Sequence, residues 1–167
     1  IKSKREEIYQ FKGDTLYYSQ DRGRVSFSQT LVNSSFDIET YKVIFSSRPF
    51  LGNETKIYGS LFIKKGAENV PGLVYLPGGG MKKEQRALLA TSLAEQGYAI
   101  LIIDQRGIGE TSGTYLNFQE DFTVFSQGKE PIQHLSVFDA LRSFDVLKNI
   151  KGVDKNNIAI IGESMGG

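Results

Sequence analysis

Hydrophobic and polar positions fall into two regimes along this chain. Residues 1–38 are polar with scattered aromatics. Ile8, Tyr9 and Phe11, then Leu16, Tyr17 and Tyr18, flank Lys12-Gly13-Asp14, a pattern that predicts a short hairpin turn. Asp21-Arg22-Gly23 interrupts the chain before Val25-Ser26-Phe27, so this part reads as an N-terminal extension, either a small β appendage or an irregular arm. Across residues 39–167 the pattern is regular. Tyr41 to Phe45 and Lys56 to Ile63 predict two strands joined by a hairpin loop at Arg48-Pro49-Phe50-Leu51-Gly52-Asn53. Leu73-Val74-Tyr75-Leu76 predicts a short apolar strand running into Pro77-Gly78-Gly79-Gly80. Lys83 to Gln96 predicts a helix with Leu88, Leu89 and Leu93 on one face and Gly97 as its stop.

Tyr98 to Ile103 is apolar without alternation, as suits a strand covered on both faces, and it ends in Asp104-Gln105-Arg106-Gly107-Ile108-Gly109. Residues 110–131 read as a long loop carrying Tyr115, Phe118, Phe122 and Phe125. A helix from about Gln133 to Asn149 follows, with Val137, Leu141, Phe144 and Leu147 at three- and four-residue spacing. Ile158-Ala159-Ile160-Ile161 is a buried-type strand that leads into Gly162-Glu163-Ser164-Met165-Gly166. Strands alternating with helices predict an α/β fold with a mostly parallel sheet and helices on both faces. Ligands bind such sheets beyond the carboxyl ends of the strands. The glycine-rich segments at 77–80, 104–109 and 162–167 each follow a strand, so all three converge on one sheet edge.

Composition narrows the chemistry. Twenty Lys+Arg against nineteen Asp+Glu leave a net charge of +1, no global signature of a nucleic-acid or membrane-surface binder. No apolar run approaches the roughly 18 to 20 residues of a membrane span. The absence of cysteine excludes a disulfide framework, a cysteine-based zinc site, an iron–sulfur cluster and a thiol nucleophile. One histidine, with carboxylates that show no coordination spacing, supplies no metal ligand set, and no cofactor is expected. Compartment is not fixed by sequence; a cytoplasmic location is the expectation, and a signal sequence removed before Ile1 would leave no trace.

A serine hydroxyl becomes a useful nucleophile only when held exposed near a base and near donors for the developing oxyanion. A sharp strand-to-helix turn does this, and its crowding demands small residues two before and two after the serine. Gly162 and Gly166 flank Ser164 at that spacing, the G-x-S-x-G pattern of a nucleophile elbow. Consecutive glycines at 78–80 let backbone N–H groups approach a ligand oxygen. An oxyanion hole would take one N–H from this loop, with Gly79 ahead of its neighbour Gly80, and one from Met165. A plain turn or a phosphate loop is the competing reading, although neither the G-x-G-x-x-G nor the Walker spacing is met. Asp104 sits where a dinucleotide site keeps its ribose-binding acid, but without that glycine fingerprint Asp104 and Arg106 read as loop-fixing residues. His134, the lone histidine, precedes the serine and reads as a surface or cap residue rather than its base.

These residues resemble the N-terminal half of an α/β-hydrolase. The likeness runs from about residue 40 to 167, through Pro77–Gly80, Asp104–Gly109, Val153-Asp154 and Ile158–Gly167. Gly162-Glu163-Ser164-Met165-Gly166-Gly167 is similar to the prolyl oligopeptidase and dienelactone hydrolase branch, which includes many carboxylesterases. The resemblance implies Ser164 as nucleophile and the Gly79 and Met165 N–H groups as oxyanion donors. It also implies that the acid and then the histidine follow the nucleophile, so both would lie beyond Gly167, in a remaining C-terminal half of the same domain. Peptidases of the branch often carry a β-propeller ahead of the hydrolase, and residues 1–38 are too short for one. The expectation is therefore a serine esterase acting on a small-molecule ester, less so an amide or thioester. Two rivals are a non-catalytic binding module of the same fold and an acyltransferase using the same serine.

Overall fold

The computed structural model describes residues 9–167. Ile8 of the expected first hairpin and the polar stretch before it lie outside the described residues. Strand β1 (Tyr9–Lys12) pairs antiparallel with β2 (Thr15–Tyr18) as a two-stranded sheet turning at Gly13. The chain continues through β3 (Phe27–Ser35), β4 (Ile38–Phe50), β5 (Asn53–Lys64) and β6 (Val70–Leu76). A 3-10 turn (Lys83–Arg86) then leads into α1 (Ala87–Glu95), followed by β7 (Ala99–Ile103), α2 (Phe118–Ser126), α3 (Ile132–Leu147), β8 (Val153–Gly162) and a closing 3-10 turn (Ser164–Gly166).

Strands β3 to β8 form one six-stranded sheet in the order β3-β4-β5-β7-β6-β8. The sheet is mixed. Hairpin connections make β3–β4 and β4–β5 antiparallel, and β5 meets β7 antiparallel, whereas β6 pairs parallel with both β7 and β8. Parallel pairing begins where helices supply the crossovers: α1 between β6 and β7, α3 between β7 and β8. The first crossover steps from β6 to β7 and the second returns from β7 past β6 to β8, in opposite directions along the sheet, so α1 and α3 cover opposite faces. Alternate residues of β7 show the division. Ile100 and Ile102 pack with Ala90 and Ala94 of α1, while Leu101 and Ile103 pack with Val146 and Leu147 of α3. Every residue of β7 is buried, which is why its sequence lacks alternation.

The helices bury only part of the faces their apolar spacing predicts: Leu93 of α1 and Phe144 and Leu147 of α3 meet the core, whereas Leu88, Leu89 and Val137 are exposed. Leu88 of α1 is 89% exposed, and the sheet is met by Ala90 and Ala94, small residues that let the helix approach Phe62, Tyr75, Ile100 and Ile102 closely. In α3, Leu147 is buried as expected but Val137 is exposed. The buried stripe runs through Ile132, Leu135, Asp139, Ser143 and Val146 instead, because Asp139 has a cationic partner beneath it. The expected loop at 110–131 contains α2, whose first turn is closed by reciprocal bonds: Glu120 N–H to the Asn117 side chain at 3.0 Å, and Asn117 N–H to Glu120 Oε2 at 2.9 Å. Buried Asp121 of α2 accepts the N–H groups of Ile132 and Gln133, capping α3 and tying the two helices together. Strand β8 forms as expected but is the outer edge of the sheet, leaving Ile160 and Ile161 exposed. Among the described residues no helix is long and apolar enough to cross a membrane.

Candidate active site

The carboxyl ends of β6, β7 and β8 carry the three glycine-rich segments. At the end of β8 the chain turns at once. Glu163 is extended, Ser164 takes φ +51°, and the turn closes through Gly166 N–H to Glu163 O at 2.8 Å and Gly167 N–H to Ser164 O at 3.0 Å. A non-glycine residue in the left-handed region costs about 1–3 kcal/mol, which the surrounding structure must offset. Crowding supplies the constraint. A Cβ on Gly162 would collide with the Gly166 carbonyl, and one on Gly166 would collide with the Leu76 carbonyl. Ser164 itself is exposed.

The loop after β6 lies against this turn. A Cβ on Gly78 would stand 3.6 Å from Ser164 Cβ, and one on Gly79 would stand 2.5 Å from Met165 Sδ and 3.0 Å from the Tyr115 hydroxyl. Gly78 N–H points to Glu163 Oε1 at 3.4 Å. Among the described residues neither the Gly79 nor the Met165 N–H donates a hydrogen bond. Ser164, Gly79 and Met165 thus come from two segments some 85 residues apart and meet at one point of the sheet edge. Tyr115, from the segment before α2, places its hydroxyl 3.7 Å from Met165 Sδ.

Charged side chains brace these loops: Asp104 and Arg106, read from the sequence as loop-fixing, and Glu163, Arg86, Lys83 and Asp139, which that reading did not single out. Glu163 accepts from Arg86 Nη2 at 2.6 Å and from the Tyr75 hydroxyl at 2.9 Å; the Arg86 bond, then the Tyr75 bond, hold its carboxyl below the usual range. Burial, then this bond to Glu163, pushes the Tyr75 phenol up. Asp104, fully buried at the end of β7, accepts from Lys83 N–H and Lys83 Nζ, each at 2.7 Å, and from Glu110 N–H at 3.1 Å. Burial works against the Lys83 charge, but bonds to Asp104, Glu84 and Glu110 outweigh it and raise its pKa above the lysine norm. Arg106, 2% exposed, grips Asp139 of α3 with Nε at 2.6 Å and Nη2 at 2.7 Å, and donates to the Arg48 carbonyl at 2.9 Å. Ser47 also donates to Asp139. Burial pushes the Asp139 carboxyl up, against the downward pull of Arg106.

His134 lies in the first turn of α3 with the Tyr9 ring edge-on at 4.6 Å, and its buried Nδ1 has no polar partner among the described residues. A cavity of about 310 Å³ under the turn is lined by Leu76, Ile103, Gln133, Met165 and Gly166, without Ser164. Among the described residues no group of three or more His, Asp or Glu side chains is placed to hold a metal ion. One local signal was in the sequence: Asn117-x-x-Glu120 is a capping pattern that marks the start of α2.

A family profile described as the alpha/beta hydrolase fold matches residues 71–167, the span from β6 through the Ser164 turn. The chain belongs to that family. This α/β-hydrolase chain is also similar to solved structures. An acetyl xylan esterase from a Paenibacillus species is 22% identical, with a TM-score of 0.69 over 87% of this chain and 48% of that one. Acetyl xylan esterase 1 from a Thermoanaerobacterium species is 15% identical, with a TM-score of 0.66 over 86% of this chain and 46% of that one. An esterase from Pyrobaculum calidifontis is 22% identical, with a TM-score of 0.53 over 76% and 36%. At these identities the likeness is one of fold. The chain spans less than half the length of each of these three structures. No curated protein matches it.

Proposed function

We propose that Ser164 is the nucleophile of a serine hydrolase that cleaves carboxylic esters. The observation that carries this is the Ser164 turn: an exposed serine at φ +51°, locked by two glycine contacts and lying against the Gly78–Gly79 loop. Ser164 Oγ attacks the ester carbonyl carbon and its proton passes to a base. The carbonyl oxygen becomes an oxyanion that receives the Gly79 and Met165 N–H groups. Collapse expels the alcohol, and water then cleaves the acyl-enzyme by the reverse sequence. The two donors have no competing internal acceptor among the described residues, so they are ready for a developing charge without rearrangement. His134 packs against Tyr9 and is not assigned as the base. Base and acid are assigned to residues outside 1–167, in the remainder of the hydrolase domain.

The similarity to acetyl xylan esterases makes acetyl esters the first substrates to test. In the intact protein, a fluorophosphonate probe labels Ser164 and p-nitrophenyl acetate is turned over. Ser164→Ala loses both, with kcat falling on the order of 10⁴-fold or more. Unchanged labelling or turnover in Ser164→Ala overturns the assignment. Labelling without turnover in water, but with acyl transfer to an added alcohol or amine, identifies an acyltransferase.

A further inference from the structure

Glu163 occupies the variable position immediately before Ser164, and its side chain turns away from the serine toward the loop that supplies Gly79. Its Oε1 receives Gly78 N–H at 3.4 Å and Arg86 Nη2 at 2.6 Å, and its Oε2 receives the Tyr75 hydroxyl at 2.9 Å. Arg86 Nε lies 3.1 Å from Oε1 and 3.3 Å from Oε2, so the guanidinium addresses both carboxylate oxygens. One carboxylate therefore touches both ends of the segment between β6 and α1: Tyr75 and Gly78 at its start, Arg86 at its end. Arg86 Nη2 also reaches Met81 Sδ at 3.6 Å, inside the same segment. On the main chain, Glu163 N–H donates to Leu76 O at 3.2 Å, so the residue is pinned to the end of β6 as well.

We infer that the Arg86–Glu163 ion pair is a positioning device that holds the Gly78–Gly79 loop at a set distance from Met165, and so fixes the spacing of the two oxyanion donors. Three observations support it. Glu163 takes up the Gly78 N–H, and among the described residues the Gly79 N–H beside Met165 donates to no other group. Gly79 is already in contact with Met165, with 2.5 Å from a would-be Cβ to Sδ, so a small shift of the loop changes the gap between donors. The pair is about 30% exposed on each side, where an ion pair adds little to folding, so its geometric precision is not explained by stability. Donors serve an oxyanion only within about 2.7–3.1 Å of where it forms, so a loop displaced by a fraction of an ångström weakens the transition state more than the bound ester.

This inference rests on the serine-hydrolase reading, and its test separates the two. Glu163→Gln, Glu163→Ala and Arg86→Met are made in the intact protein beside Arg86→Lys. Expected are a fall in kcat on p-nitrophenyl acetate of about 10- to 100-fold for Glu163→Ala and Arg86→Met, with KM changed less than about two-fold. Affinity for a boronate transition-state analogue falls in parallel with kcat, and Arg86→Lys recovers part of the loss. Thermal midpoints stay near the wild type, and amide hydrogen exchange at Gly78, whose N–H points to Glu163, quickens in Glu163→Ala. Wild-type kcat in Glu163→Ala, or kcat and KM effects that only track loss of folded protein, overturns the inference. Unchanged exchange at Gly78 overturns it whether or not the protein turns over esters. Failure of the fluorophosphonate to label the wild type overturns the serine assignment alone, and the exchange measurement still decides whether Glu163 holds the loop.

Discussion

Gly166→Ala is the sharpest perturbation of the Ser164 turn. Gly166 has no positive φ, so alanine is not opposed by backbone conformation, and only contact decides the outcome. The new Cβ would collide with the Leu76 carbonyl oxygen and stand 2.8 Å from Leu76 C and Pro77 O. All are main-chain atoms of β6 and its loop, so no side chain can swing aside. Relief to an ordinary contact of 3.4 Å or more requires the turn to move by about 1 Å. Overpacking of this kind costs about 1–3 kcal/mol of stability, and a 1 Å displacement of a reacting group costs on the order of 10²-fold in rate. Gly167→Ala is the matched control, since its Cβ would come no nearer than 3.3 Å to any atom, Ser164 O, with Gly162 O next at 3.7 Å. The assay is fluorophosphonate labelling rate and kcat/KM on p-nitrophenyl acetate in the intact protein, with urea midpoints for both variants. Gly166→Ala is expected to lose about 100-fold in labelling and activity, with Gly167→Ala within a few-fold of wild type. Equal behaviour of the two variants, or wild-type labelling in Gly166→Ala, would refute the steric reasoning.

Two further predictions concern the buried charges. Asp139→Ala strips Arg106 of its bidentate partner while leaving the guanidinium 2% exposed, and is expected to cost about 3–5 kcal/mol in urea unfolding; a cost below about 1 kcal/mol would show that the pair is dispensable. For Lys83 the folded pKa lies above the unfolded value, so its contribution is complete below the ordinary lysine pKa of about 10.4 and fades as pH rises beyond it. Its partners Glu84 and Glu110 are shifted the other way: burial raises Glu84, but the Lys83 bond outweighs it, and bonds to Lys42 and then Lys83 lower Glu110. Their share is present above about 4.3 and is lost as pH falls below it. The stability gap between wild type and Lys83→Met should therefore be flat from about pH 5 to 10 and narrow at both ends. A gap that peaks sharply inside that window would contradict the network.

Much of the local structure was legible residue by residue. β7 announced itself by an unbroken apolar run, and a strand buried on both faces needs nothing else. The glycines at 162 and 166 marked the tight turn, because steric exclusion at a strand-to-helix corner acts within five residues. The wrong helix faces were errors of a different kind. In α1 Leu88 and Leu89 outweighed Ala90 and Ala94 on any hydrophobicity count, yet closeness of approach to Phe62, Tyr75, Ile100 and Ile102 favoured the alanines, with only Leu93 of the three leucines packing beside them. In α3 a carboxylate is an unlikely core residue until Arg106, 33 residues earlier, is known to lie beneath it.

The amino-acid order by itself determined the α/β succession, the three glycine-rich strand ends and Ser164 as the residue in the tight turn, since periodicity and short-range sterics act among neighbours. Only the tertiary structure decided that β8 lies at the sheet edge, that α2 fills the segment before α3, and that Gly79 reaches Met165. It alone revealed Glu163, Arg86, Lys83 and Asp139 as braces of those loops, and as the partners of Asp104 and Arg106, whose loop-fixing role was read from the sequence. Ion pairs and strand neighbours join residues tens of positions apart, and their energies depend on burial and on distances of a few ångströms. No local pattern encodes either.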